Sequence, residues 1–234
     1  MKKFWGFLLV IVLMTSCGEY QSLLKSNDYN LVYKKAIEYY NKGDYQRAMN
    51  LLDGVRSVFV GQAKAQNIAY YRAFCSYNMK DYQIASDLFK QFIQTYPESS
   101  FAEECLYMMG FCDYKASPKP RLDQQVTEKA IREFQLYLSR YPYSMRKDKV
   151  NTYMDEMRDK LSYKAYLSAK NYYLREHYKA AVISLQNCLK DYPGSKYREE
   201  IMYMLFVSKY QMAVNSVEDK KVERYNNARE EYYY

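Results

Sequence analysis

Tyr96-Pro97-Glu98-Ser99-Ser100-Phe101-Ala102-Glu103-Glu104 and Tyr192-Pro193-Gly194-Ser195-Lys196-Tyr197-Arg198-Glu199-Glu200 are one pattern written twice. The agreement runs on: Tyr107-Met108 aligns with Tyr203-Met204, and Tyr114 with Tyr210. A third Tyr-Pro-x-Ser stands at Tyr141-Pro142-Tyr143-Ser144. Eleven residues before each Tyr-Pro is an alanine, Ala85, Ala130 or Ala181. An aromatic precedes the alanine by three in Tyr45-x-x-Ala48, Tyr82-x-x-Ala85, Tyr178-x-x-Ala181 and Tyr225-x-x-Ala228. Twelve residues before the alanine comes another small residue, Ala36, Ala73 or Ala169, with Gly110 in that role where about eight extra residues follow. A fixed period of this kind marks a repeat protein.

The physics is that of antiparallel helix pairs. Small residues on both helices let the pair approach closely, and Gly43-Asp44 or Lys80-Asp81 supplies the turn, with Asp able to cap the second helix. Proline ends the second helix, because it lacks an N–H and restricts the residue before it. The serine that follows is expected to cap the next first helix. These are the features of the tetratricopeptide repeat. The fold class is therefore all-α, a solenoid of about five helix pairs over roughly 29–60, 61–99, 100–144, 145–195 and 196–234. Prolines make Ala116–Gln125 a loop. The register of Ala228 places a sixth Tyr-Pro near position 239, so the last second helix reads as cut short.

Each first helix carries two tyrosines seven apart: Tyr33/Tyr40, Tyr70/Tyr77, Tyr107/Tyr114, Tyr166/Tyr173 and Tyr203/Tyr210. Seven residues is nearly two turns, so each pair shares a face. Two readings stand: packing between repeats, or a tyrosine-lined groove that stacks on peptide side chains. On the second reading the groove comprises Tyr33, Tyr40, Asn41, Tyr70, Tyr77, Asn78 and Tyr107, the two asparagines binding the backbone of an extended peptide.

At the start, Lys2 and Lys3 precede Phe4–Met14, an apolar run broken only by Gly6. A bilayer-spanning helix needs about 20 apolar residues, so residues 1–16 read as a signal peptide. Leu13-Met14-Thr15-Ser16-Cys17 resembles the bacterial lipobox, with Met14 where leucine is usual. Small residues at 15 and 16 admit the peptidase, and Cys17 becomes the lipidated residue, followed by a tether over 17–28. Several acyl chains anchor stably where one would be marginal. Gly18, not Asp, follows the cysteine, so by resemblance to enteric sorting rules no inner-membrane retention signal is present.

Composition narrows the classes further. Of 234 residues only 7 are Gly and 5 Pro, whereas 30 are Tyr, which favours helices. The net charge of +8 is moderate. It reads as a solvated surface, and the export signal argues against nucleic acid. Cys105 and Cys112 lie about 10 Å apart along one helix, too far for a disulfide. Partners across helices stay open, with buried free thiols the default for Cys75, Cys105, Cys112 and Cys188. His177 is the only histidine and sits in a turn, there is no CxxC and no Gly-rich phosphate loop. No catalytic, metal or cofactor site is expected. Glu103/Glu104 and Glu199/Glu200 fall at helix starts, where they suit the positive end of the dipole.

The lipobox, the five units, the loop in unit three and the long first helix of unit four together resemble the lipoprotein of the outer-membrane β-barrel assembly machine, the BamD (ComL) family. The most specific stretch is Arg158–Tyr173, followed by Tyr178-x-x-Ala181 and Lys190-Asp191-Tyr192-Pro193. The resemblance implies an outer-membrane lipoprotein facing the periplasm. Its partners would be a POTRA domain of the barrel insertase and unfolded outer-membrane barrel proteins. Repeats 1–3 over 29–144 would be the substrate side, and repeats 4–5 over 145–234 the insertase side, with Tyr163, Tyr166 and Tyr173 as contact residues. A repeat lipoprotein scaffolding other envelope or division machinery is the alternative, and a glycan-uptake lipoprotein ranks third.

Overall fold

The computed structural model describes residues 18–232; the expected signal peptide, 1–16, and the expected lipidation site Cys17 lie outside them. The described part of α1 is residues 18–24. Then follow α2 (Tyr29–Asn41), α3 (Tyr45–Val55), α4 (Ala63–Asn78), α5 (Tyr82–Thr95), α6 (Ala102–Ala116), α7 (Gln125–Arg140), α8 (Lys147–Leu174), α9 (Tyr178–Asp191), α10 (Arg198–Val214) and α11 (Glu218–Tyr232). No strand occurs among the described residues. The all-α solenoid expected from the repeats is what the chain forms. No helix among the described residues is long and apolar enough to cross a membrane.

The small residues sit where the pairing argument requires. Ala36, Ala48, Ala73, Ala85, Ala130, Ala169 and Ala181 are all fully buried. Gly110 makes the closest approach: a Cβ there would lie 2.9 Å from Cδ1 of Phe134, itself fully buried. The four cysteines Cys75, Cys105, Cys112 and Cys188 are free and buried, and burial pushes each thiol up, Cys188 included. They pack as small hydrophobes.

The turns within pairs share one geometry. Gly43 N donates to Tyr40 O at 3.0 Å and Asp44 N to Tyr39 O at 2.9 Å; Lys80 and Asp81, and Glu176 and His177, repeat both bonds. This closes a helix in the Schellman manner and puts a left-handed residue after it. Gly43 takes that conformation (φ +81°), but so do Lys80 (φ 68°) and Glu176 (φ 59°). Asp44 caps α3 by accepting from Arg47 N at 3.2 Å, and Asp28 caps α2 from Leu31 N at 3.0 Å. Asp81 occupies the same position before α5 without making that bond.

The serine of Tyr-Pro-x-Ser works one step earlier than expected. Its N–H closes a turn onto the tyrosine carbonyl at Ser99, Ser144 and Ser195, with proline preset at the second turn position. Its hydroxyl accepts from the N–H two residues on at Ser99 and Ser195, ahead of the next helix. In the last pair the register departs. Tyr45, Tyr82 and Tyr178 each open a second helix, whereas Tyr225 is well inside α11. At fifteen residues α11 is within the range of the other second helices.

The described residues form two compact units, 18–116 with 129–144, and 117–128 with 145–232. The first has its core around Val32, Leu51, Leu52, Val55, Phe59 and Ile68. The second has its core around Tyr166, Leu185, Ile201, Met204 and Leu205.

Candidate functional site

The paired tyrosines hold successive first helices together by one recurring contact. In the first unit Tyr70 lies 4.6 Å, centroid to centroid, from Phe101, and its hydroxyl donates to Glu104 Oε2 at 2.8 Å. In the second, Tyr166 stacks on Tyr197 at 4.4 Å and donates to Glu200 Oε2 at 2.7 Å. Tyr33 does the same with softer chemistry: Lys64 Nζ sits 5.8 Å from its ring, and Asn67 hydrogen-bonds its hydroxyl. The partners fall 31 and 34 residues further on in every case. Burial, reinforced by Glu104, pushes the Tyr70 hydroxyl well above its ordinary range. The period was present in the sequence; the seven-residue spacing identifies the face but not which neighbour covers it.

The other residues of the expected groove divide. Tyr40 is half-buried, packs edge-on against Tyr71 at 4.9 Å, and accepts from Asn78 Nδ2 at 3.5 Å; burial pushes its hydroxyl up to about 12. Tyr77 is half-buried, beside Phe111 at 6.2 Å. Asn41 is exposed. Tyr107 differs from the others: at 7% exposure it is buried against Phe111, Phe134 and Tyr137 and offers little surface to a groove. A shallow recess of about 390 Å³ in this unit lies between α4 and α5, lined by Ala65, Ala69, Arg72, Leu88 and Tyr96, away from these tyrosines.

The second unit holds a larger cleft of about 790 Å³, lined by Arg121, Tyr163, Lys164, Tyr166, Lys170 and Tyr197 among others. Tyr163, Tyr166 and Tyr197 form a stacked trio, with centroids 6.1, 5.3 and 4.4 Å apart. The loop carrying Arg121 is fixed to α8: Lys164 Nζ donates to Leu122 O at 2.8 Å and Lys160 Nζ to Ser117 Oγ at 2.7 Å. Gln124 folds that loop by donating to Lys119 O and Leu122 O. Lys170 pairs with Glu200 at 2.7 Å, which together with Tyr166 holds the Glu200 carboxyl below its usual range. Among its described lining residues the cleft has three cations and no carboxylate. Glu200 neutralises Lys170, so an aromatic wall beside Arg121 and Lys164 is what suits a partner surface bearing acidic and apolar side chains. Tyr163 and Tyr166 stack on one another, Tyr166 in the core of the unit at 5% exposure and Tyr163 against it. Tyr173 packs on the same core. Arg121, Lys164, Lys170 and Tyr197 were missed by spacing arguments.

A buried polar cluster lies in the first unit where α5, α6 and α7 meet. Lys129 Nζ is 2.9 Å from Asp113, 3.6 Å from Glu133 and 3.9 Å from Asp87. Ser86 Oγ donates to Asp113 at 3.0 Å. Burial, then the neighbouring Asp113 carboxyl, pushes Glu133 up to about 8. Its Oε2 has no hydrogen-bond partner among the described residues.

Residues 25–224 match the family model described as YfiO, outer membrane lipoprotein. Among curated proteins no match was found.

Proposed function

We propose that this chain, which belongs to the YfiO family of outer membrane lipoproteins, is the BamD (ComL)-type scaffold of the β-barrel assembly machinery. On this reading Cys17 carries the lipid and the body faces the periplasm. The second unit docks a POTRA domain of the barrel insertase, and the half-buried tyrosines of the first unit, Tyr33, Tyr40, Tyr70 and Tyr77 with Asn41 and Asn78, receive the aromatic end of an unfolded barrel strand. The observation that carries the reading is the cleft around Tyr163, Tyr166 and Tyr197 with Arg121, Lys164 and Lys170 on its walls. It supports a protein partner better than a metabolite, because it is open, aromatic and positively charged without a converging set of polar groups.

Arg121 and Leu174 border the cleft and are exposed, so the pair Arg121→Glu and Leu174→Asp tests the site without touching the core. Co-purification of the barrel insertase with the lipidated protein should fall about tenfold or more, since a reversed charge at an interface costs several kcal/mol, while thermal unfolding stays unchanged. Undiminished recovery of the insertase would refute docking at this cleft.

A further inference from the structure

The expected lipid attachment point is joined to the first unit without slack. Gly18 follows Cys17 directly and opens the described part of α1. Glu19 pairs with Lys35 on α2 at 3.0 Å. Tyr20 is buried: its ring lies 6.0 Å from Tyr39 and 5.3 Å from the Arg47 guanidinium, and its hydroxyl accepts from Asn50 Nδ2 at 3.0 Å. Leu23 and Leu24 border a small recess with Tyr29 and Val32. So α1 starts beside the C-terminal end of α2 and finishes beside its start. A chain advances at most about 3.6 Å per residue, so Cys17 lies within about 11 Å of Tyr20.

That end of α2 belongs to a longer edge. α2, α4 and α6 run parallel: Asn30 meets Lys64 and Tyr70 meets Glu104 toward their starts, and Tyr40 meets Asn78 and Tyr77 meets Phe111 toward their ends. Their C-terminal ends carry Lys42, Lys80 and Lys115, all exposed. Asp44 pairs with Arg47, and Glu38 with Lys35; Asp81 is exposed there too, which leaves the lysines in excess. Tyr40 and Tyr45 flank one turn of the edge at 5.5 Å, Tyr77 and Tyr82 the next at 5.9 Å. Ile84, near the start of α5, is 55% exposed. A lysine at a helix C-terminus suits the dipole, which accounts for each lysine singly. Lysines outside a row of tyrosines, beside an acyl anchor, are the chemistry of a membrane–water interface.

We infer that this edge of the first unit rests on the membrane surface, with Lys42, Lys80 and Lys115 against the phosphates of anionic phospholipid headgroups. The inference rests on the reading of Cys17 as the lipidated residue. Acyl chains on Cys17 bring its backbone to the headgroup layer, which is about 5–8 Å deep. A connection of three residues to buried Tyr20 cannot hold the unit clear of that layer. α2 continues past Tyr39 toward the anchor side, so the turn at Lys42 and Gly43 meets the headgroups before Tyr20 does. The lipid then fixes how the first unit faces the membrane, in addition to keeping it there. The edge is separate from the cleft proposed for the insertase, and the inference stands whether or not that cleft docks it.

Trp5 is the only tryptophan, and it lies in the expected signal peptide, so one introduced tryptophan reports alone in the chain from Cys17 onward. Ile84→Trp and, as a second reporter, Gln83→Trp mark the edge; Val60→Trp, at 73% exposure between α3 and α4, marks the opposite one. Each acylated protein is reconstituted into vesicles of phosphatidylethanolamine and phosphatidylglycerol, part of the lipid brominated on its acyl chains. Emission from positions 83 and 84 should be quenched and shifted to the blue, and emission from position 60 should be neither. Lys42→Glu, Lys80→Glu and Lys115→Glu together should restore most of the emission at position 84, with circular dichroism confirming that these exposed changes leave the fold intact. Acylated protein whose two edges are quenched alike, or not at all, overturns the inference, and so does a triple reversal that leaves the quenching unchanged. Mass spectrometry showing no acyl group on Cys17 removes the lipidation reading itself, and the inference with it.

Discussion

In the first unit the tyrosine contacts between repeats are Tyr33 with Lys64 and Asn67, and Tyr70 with Glu104 beside Phe101, and carboxyls are taken into the interior at Asp113 and Glu133. In the second unit the same contact is a triad, Glu200 accepting from Tyr166 and Lys170 together, and its charges stay near solvent, the Lys170 and Glu200 side chains being 34% and 45% exposed. The spacing of helices is common to both, set by alanines and one glycine. Repeat architecture therefore fixes where helices lie and leaves their polar chemistry free. The first unit spends that freedom on a buried network and the second on a charged, aromatic cleft.

The sharpest way to break the comparison is at the helix spacing. Gly110→Val should destabilise the chain by about 3 kcal/mol in urea unfolding, because its branched side chain meets the buried Phe134 ring; the other unit has Ala169 at the same place and already accommodates a methyl. A change below about 1 kcal/mol would mean that α6 and α7 can separate freely.

Next in size is the response to pH, which should belong to the first unit. Glu133 is raised from the ordinary carboxylate value of 4.5 to about 8, by burial first and by Asp113 second. It faces Asp113 and Cys112 on α6, Lys129 on its own helix, and Ser86 with Asp87 on α5. Burial alone would lower Lys129, but the surrounding carboxylates outweigh it and hold its ammonium above the ordinary value. A carboxyl raised on folding binds a proton in the folded state that the unfolded state has lost. Its stabilising contribution is full below 4.5 and disappears as pH rises through about 8, at up to roughly 1.4 kcal/mol per pH unit. Glu133→Gln should flatten that slope between about pH 5 and 8. An unchanged slope would place the titration elsewhere.

The smallest effect separates the two tyrosine contacts. Tyr70→Phe should cost about 1 kcal/mol, and Tyr166→Phe less, since Lys170 still satisfies Glu200. Equal losses in thermal unfolding would show that the lysine adds nothing.

Much of this arrangement was legible in the residues. Small residues at 36, 48, 73, 85, 110, 130, 169 and 181 declare a close helix–helix approach because few other reasons place them at fixed intervals, and each is buried. Tyr-Pro declares a helix end for covalent reasons. What failed was whatever depended on a neighbour not adjacent in sequence. Tyr107 reads like Tyr70 along the helix, yet Phe134 and Tyr137 cover it. Lys129, Asp113 and Glu133 look like a solvated face until three helices enclose them. Tyr225-x-x-Ala228 matched the motif in letters but not in helix register. Arg121 lay in a loop recognisable by its prolines, and only the bonds from Lys160, Lys164 and Gln124 give that loop a fixed shape beside the cleft.

The tyrosine contact also has a direction. Three first helices, α2, α4 and α8, offer the ring forward, from Tyr33, Tyr70 and Tyr166 to partners 31 and 34 residues later in the chain. During synthesis the N-terminal end emerges first, so each of these tyrosines waits, ring uncovered, until the following helix arrives. Maturation becomes a relay in which each new repeat closes the one before it. At any moment the sticky, unfinished surface of the growing protein is confined to its most recent helix.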